Sequence, residues 1–399
     1  MNLFRSTDIL LPAKCEYKKW AVIACDQYTS QPEYWENVEN LVENAPSTLH
    51  MFFPEAILSS IKKEDYEQYC SNMQRYLTDG VLKEYPNSYI YVERTLQNGM
   101  IRQGILGMID LDYYDYDPKP DTRIFATEAT VLQRVPPRVA LRKEAPLEFS
   151  HTVIFCDDRQ CKIIESVADI RDTLPLLYDF DLMLDGGRIK GYLLQGENAC
   201  NFEAMIAQYE RDNPYLVGDG NHSLVTAKLT YEAQKEAGTD SDWAKHPSRY
   251  TMVELENIHS PSMLFESIYR IADTLDPEGL VQELMSLDSP DGTAITWLCG
   301  EKEGSVRLSH SEDELIVEVL QRFLDRRCER NGDIIDYIHG ANTVRELSKR
   351  PGTVGFLYPD MEKTILFPYV LSGRVMPKKT FSIGHAAEKR YYLEGRRIK

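Results

Sequence analysis

The chain has 399 residues, 43% of them hydrophobic and 27% charged, which is the balance of a globular protein too long for one ordinary core. Lys and Arg number 45 against 63 Asp and Glu, and the net charge of −18 excludes DNA or another polyanion as a partner for most of the surface, while a local field of opposite sign still admits a small anion. No apolar run approaches the ~18 residues of a membrane span, the N-terminal MNLFRSTDILLPAK lacks a signal-peptide pattern, and the eight cysteines form neither a C-x-x-C pair nor a zinc spacing, so a cytoplasmic protein with reduced thiols is expected.

The apolar run 20–24 predicts a first strand, followed by Asp26 and Gln27 at its end, the usual place for a site in an α/β protein. Ser30 and Glu33 have capping-box spacing, and Pro32 suits the first turn of a helix whose face is Tyr34, Trp35, Val38, Leu41 and Val42. A second helix is predicted over 62–77. Strands over 89–95 and 101–109 flank Asn98-Gly99, a hairpin signal because both residues tolerate positive φ. The acidic, tyrosine-rich stretch 110–121 reads as a loop, and it lacks the glycine and terminal glutamate of a calcium loop. Residues 124–144 read as a short helix, then Pro136-Pro137, then a strand. Further on come a strand at 153–156, a hairpin around Gly186-Gly187, a helix at 201–210, a strand at 215–217, a helix at 224–237 and a strand at 250–255. The last third mixes strands at 294–298 and 355–357 with a helix near 314–327. Without the regular rhythm of a doubly wound sheet, the class is α+β (mixed α/β), with irregular mixed sheets and peripheral helices. A main domain over 1–270 and a smaller α+β region over 271–399 that packs on the same site are expected.

The segment Gly218-Asp219-Gly220-Asn221-His222-Ser223 lies between the strand at 215–217 and the helix at 224–237. Two glycines permit backbone conformations closed to other residues and close approach of a ligand. The helix start adds N–H groups and the positive end of its dipole, which favour an anion. Asp219 and His222 place a carboxylate and an imidazole there, which points to Mg²⁺ with a phosphate, Asp219 being the metal ligand, or to acid–base work. On spacing alone an equal alternative stands: Asp219 and Asn221 make the turn and Ser223 caps the helix.

The run Leu216-Val217-Gly218-Asp219-Gly220-Asn221-His222-Ser223-Leu224-Val225-Thr226-Ala227-Lys228 resembles the central motif of a bacterial and archaeal family known as domain of unknown function family 1015. Segments 25–30, 127–130, 253–259 and 376–381 resemble other stretches of the same family, so the likeness spans nearly the whole chain. The strand, Asp-Gly-x-His-x and helix also resemble, more distantly, the phosphate-binding box of the ParB/sulfiredoxin-like superfamily, which includes nucleotide-dependent free serine kinases. That resemblance implies a phosphate-binding element in mid-chain and a nucleotide, ATP or ADP, with Mg²⁺. Asn221 stands where many relatives have His, and Ser223 where they have Arg, which removes a bidentate phosphate clamp.

The resemblance also implies a general base at Glu128, against an exposed helix glutamate as the plain alternative. Arg134 and Arg138 beside Pro136-Pro137 are candidates for the missing clamp, or surface ion-pair partners. Glu254 and Glu256 fall on one face of a strand and Asn257 on the other, a polar cluster that is a site candidate or a loop start. From Arg374 to Lys399 eight basic residues face only Glu388 and Glu394. Lys378 and Lys379 are expected to reach a phosphate, and the terminal residues to pair with the acidic body. The sequence therefore predicts phosphoryl transfer to a small hydroxylated metabolite such as serine (or from phosphoserine). Asp219, His222 and Glu128 are the catalytic residues, and Gly218, Gly220, Asn221, Ser223, Arg134, Arg138, Lys378 and Lys379 hold phosphate or nucleotide. The alternative is a nucleotide- or metabolite-binding regulator without turnover. The partner is a small phosphate-bearing molecule, with no nucleic acid or membrane, and a homo-oligomer is compatible with the sequence.

Overall fold

A computed structural model describes residues 2–23, 28, 31–54, 57, 61–130, 135–149, 151–238 and 242–399. Asp26, Gln27, Arg134 and the expected cap Ser30 lie outside these described residues. The fold is mixed α+β, divided into two compact units. The first comprises Met1–Ala126, Thr130–Met263 and Ala386–Lys399, and the second Thr127–Ala129 with Leu264–His385.

The first unit is built on a mixed sheet. Strand Tyr215–Asp219 runs parallel to Ile124–Phe125 and antiparallel to Val153–Cys156. Val153–Cys156 runs parallel to Tyr250–Asn257, which pairs antiparallel with Ile101–Asp110, which in turn forms a hairpin with Leu82–Thr95. Successive side chains of a strand point to opposite faces, and here both faces are covered by packed side chains. Ile105, Val253 and Leu255 join a core with Leu224, Val225 and Tyr231 of helix Asn221–Glu236. Leu106 and Met252 join a second core with Trp20, Trp35 and Tyr391. This two-sided cover explains why Tyr250–Asn257 is buried along its whole length.

In the second unit, strands Lys302–Leu308, Asp288–Cys299, Thr353–Leu357, Phe265–Asp273 and Ile334–His339 pair in that order. Helices Pro277–Met285 and Ile316–Asn331 supply Leu280, Leu284, Leu320, Phe323 and Leu324 to its core.

Two expectations are corrected. The described part of the expected strand 20–24 is not a strand: Trp20 ends a helical turn, Tyr17–Trp20, and Val22 makes only an isolated bridge with Tyr392. The predicted break and strand around Pro136-Pro137 is a helix, Pro136–Glu144. Both prolines sit in the first turn, where a missing N–H costs nothing because that donor has no partner within the helix.

Candidate functional site

The strand Tyr215–Asp219 ends in Gly220, and helix Asn221–Glu236 begins directly after it. Gly220 has φ +79°, the left-handed region that side chains disfavour, and a Cβ there would meet Thr152 Cα and Oγ1 at 2.8 Å. Gly218 is needed for a different reason: a Cβ would strike the Phe155 ring at 2.6 Å. Both glycines therefore let the turn lie against the neighbouring strand, and residues 218 to 223 stay half-buried and reachable from solvent.

The backbone of the turn is largely satisfied from within. The Gly220 N–H donates to Asp219 Oδ1 at 2.7 Å, and the Gly220 carbonyl accepts from the N–H groups of Ser223 and Leu224 at 3.0 and 3.1 Å. The expected row of open N–H donors from Gly220 to Ser223 is thus narrowed. Asn221 is anchored through its side chain, which donates to Thr130 Oγ1 at 3.1 Å and accepts from Tyr114 Oη at 3.3 Å. The His222 carbonyl accepts from Thr226 Oγ1 one turn along the helix.

Ser223 does not cap the helix, because Gly220 occupies that position. Its hydroxyl instead lies 3.1 Å from Nε2 of His151. His151 is fixed on two sides. The next residue, Thr152, accepts the Glu254 N–H through its carbonyl at 2.9 Å, and the imidazole packs on the Tyr392 ring with centroids 4.8 Å apart. Burial lowers the His151 pKa to about 4; Asp219 opposes the shift, and the guanidinium groups of Arg138 and Arg390 reinforce it. The imidazole is therefore neutral near pH 7.

Lys389 donates to Asp219 Oδ2 at 2.9 Å, while a third of the Asp219 side chain remains exposed. Burial alone would raise the Asp219 pKa, but the ammonium, helped by His151 and the Gly220 N–H, holds it below the usual range. This donor set does not suit a resident Mg²⁺. One Asp219 oxygen is committed to a cation and the other to a backbone N–H, and among the described residues no three His, Cys, Asp or Glu converge as metal ligands.

Behind Lys389 lies a buried ionic network. Arg390 pairs with Glu254 and with Glu394, the latter at 2.6 Å, and Tyr178 donates to Glu394. Glu256, on the same strand face as Glu254, has Arg102 Nε at 4.0 Å, and among the described residues its Oε2 has no hydrogen-bond donor. Burial raises the pKa of Glu256 to about 8, with Arg102 opposing and Glu254 adding to the shift, so near neutral pH it holds its proton for much of the time. Asn257 is structural: its amide donates to the Asp158 carbonyl at 2.9 Å and to Glu165 at 3.1 Å, tying down the loop after Cys156. The tail also pairs with the acidic body as expected, through Arg396 to Glu148 and Arg397 to Glu84.

Glu128, Lys378 and Lys379 belong to the second unit. There Glu128 bridges to Met376, and its carboxylate accepts the N–H groups of Lys379 and Thr380, both at 3.2 Å. The Lys378 ammonium lies over the Tyr337 ring at 5.2 Å. Sequence reasoning singled out the turn and Arg138, and did not single out His151, Lys389 or Arg390, of which His151 and Lys389 touch Ser223 and Asp219.

A mixed α+β protein with a half-exposed glycine turn opening a long helix is the class that fold and site define. The family described as protein of unknown function (DUF1015) matches residues 10–350, and the chain belongs to that family. Similar solved structures include a free serine kinase in complex with AMP, with 12% identity, TM-score 0.40, and coverage of 73% of this chain and 91% of that one. A C-terminally truncated SbnI from Staphylococcus aureus has 13% identity, TM-score 0.36, and coverage of 69% and 81%. A conserved hypothetical protein from Pyrococcus furiosus has 11% identity, TM-score 0.36, and coverage of 73% and 94%. A search of curated proteins returned no match. No helix among the described residues is long and apolar enough to cross a membrane.

Proposed function

We propose that this protein transfers a phosphoryl group between a nucleotide, ATP or ADP, and a small hydroxylated metabolite of the serine type, with the phosphate held at the Gly218–Ser223 turn. The observation that carries the reading is the half-exposed glycine turn that opens a sixteen-residue helix, with the Ser223 hydroxyl 3.1 Å from Nε2 of His151 and the Lys389 ammonium on Asp219. Phosphoryl transfer asks a protein mainly for positioning and charge stabilisation. In this reading the helix N-terminus and His222 face the phosphate oxygens. Arg138 supplies charge that the usual arginine would bring at position 223. Any Mg²⁺ arrives with the nucleotide rather than on Asp219.

The test is a coupled pair of measurements on the full chain. Incubation with ATP or ADP and a panel of hydroxylated amino acids should yield a phosphorylated product, and calorimetry should detect nucleotide binding that Arg138→Ala weakens. Binding without any product would favour the regulatory alternative, for which the loss of the arginine at position 223 speaks. Neither binding nor product would overturn both.

A further inference from the structure

Most of the polar groups at the turn have structural partners, and Ser223 does not fit that pattern. It is the third residue of a sixteen-residue helix, it caps nothing, and its hydroxyl is directed at an imidazole nitrogen 3.1 Å away. The imidazole belongs to a residue 72 positions earlier in the chain, held by backbone bonding of the adjacent Thr152 and by the Tyr392 ring. A serine hydroxyl in reach of a fixed imidazole is the arrangement that activates a serine as a nucleophile. Both residues keep part of their surface exposed.

We infer that Ser223 is a nucleophile with His151 as its base, and that the phosphoryl group passes through a phosphoserine at position 223. This rests on the phosphoryl-transfer reading above and goes further by naming the covalent carrier. With its second nitrogen protonated, His151 presents the Nε2 lone pair to the Ser223 hydroxyl. In the first half-reaction Ser223 Oγ attacks the terminal phosphorus of the nucleotide. The bond from phosphorus to the bridging oxygen breaks, the shortened nucleotide leaves with that electron pair, and the serine proton moves to Nε2 and then to solvent. In the second half-reaction the acceptor hydroxyl attacks the phosphoserine and gives its proton to Nε2. The bond from phosphorus to Ser223 Oγ breaks, and Oγ recovers a proton from the imidazolium. No electrons are exchanged and one proton is released overall. The helix N-terminus stabilises the phosphoserine dianion, as it does other anions at such a position. The neutral imidazole near pH 7 is the form this step needs.

Acid-quenched single-turnover reactions of the full chain with ATP or ADP, followed by peptide mass spectrometry, test the inference. One phosphoryl group is expected on the peptide containing Ser223, and it should be lost when serine is added. His151→Gln should slow its appearance roughly 100-fold, the lower range for losing a general base. Because Ser223→Ala risks the local fold, the stereochemical course in the unaltered protein is the second measurement. A nucleotide chiral at the transferred phosphorus should give net retention, since two in-line displacements cancel. Transfer with inversion and no labelled Ser223 overturns the covalent step while leaving phosphoryl transfer standing. Neither label nor transfer overturns both.

Discussion

Among the turns that place a residue in the left-handed region, those at Gly220, φ 79°, and Lys379, φ 58°, are treated differently by the chain. At Lys379 both sides of the backbone are taken by distant side chains. Glu128 accepts the N–H groups of residues 379 and 380, and Arg270 donates to the carbonyls of residues 378 and 379 at 3.3 and 2.8 Å. At Gly220 the backbone closes on itself and on Asp219, and what remains half-exposed is a set of side chains: Asp219, His222 and Ser223, with His151 beside them. Similar local conformations thus end in a locked loop in one unit and a half-exposed group of polar side chains in the other. The conformation of a turn does not decide its use; the groups that the rest of the chain brings to it do.

The comparison breaks most sharply at Gly220. Gly220→Ala forces a Cβ into a left-handed position, about 1–2 kcal/mol, and against Thr152 at 2.8 Å, which adds roughly 1–3 kcal/mol of overpacking. Urea unfolding should show the summed loss, and nucleotide binding should fall with it. A change below about 1 kcal/mol would mean that the turn is not held against Thr152.

The open turn should also answer to pH. His151 has its pKa depressed from an ordinary 6.5 to about 4, so the unfolded chain takes up the proton first. Its contribution is complete above pH 6.5 and is lost as pH falls toward 4, at most about 3 kcal/mol for a shift of this size. Glu256 has the opposite sign: its pKa is raised from 4.5 to about 8, so its contribution is present below pH 4.5 and is lost as pH rises through 8. Melting temperature against pH should therefore lose the part of its acid limb between pH 6.5 and 4 in His151→Gln and part of its alkaline limb in Glu256→Gln. Unchanged limbs in both variants would refute the assigned protonation states.

Glu128 sharpens the comparison from the other turn. Glu128→Gln keeps the shape but turns an amide NH₂ toward one of two backbone donors. The expected cost is about 1–3 kcal/mol, as for a buried donor left unsatisfied, measured as denaturant midpoint. If activity instead falls more than roughly 100-fold with stability unchanged, the residue is a general base and not a lock.

The sequence made the first turn visible because glycine before a helical pattern has a backbone reason to be there. The hairpin at Asn98-Gly99 was legible on the same ground, with Gly99 alone taking positive φ, at 81°. The paired face of Glu254 and Glu256 followed from the period of two. Pro136-Pro137 reads as a break because proline disrupts a helix interior but suits its first turn, and only the burial of Val135 and Leu141 tells the two apart. The partners of the turn were hidden for a different reason. His151 reaches Ser223 across 72 positions and Lys389 reaches Asp219 across 170, and no local pattern encodes either contact.

The smallest effect is the most discriminating between the two turns. Lys379 carries a side chain where glycine would be at ease, so Lys379→Gly removes about 1 kcal/mol of left-handed strain. It also frees the unfolded backbone, which costs roughly 0.5–1 kcal/mol in the other direction. If Glu128 and Arg270 alone fix the conformation, these contributions nearly cancel and the midpoint moves by less than about 0.5 kcal/mol. A loss well above that figure would show that the lysine side chain itself holds the loop, through contacts beyond the backbone bonds to Glu128 and Arg270. The locked turn would then depend on the side chain at its left-handed position, which the open turn, with glycine there, does without, and the contrast between the two would widen.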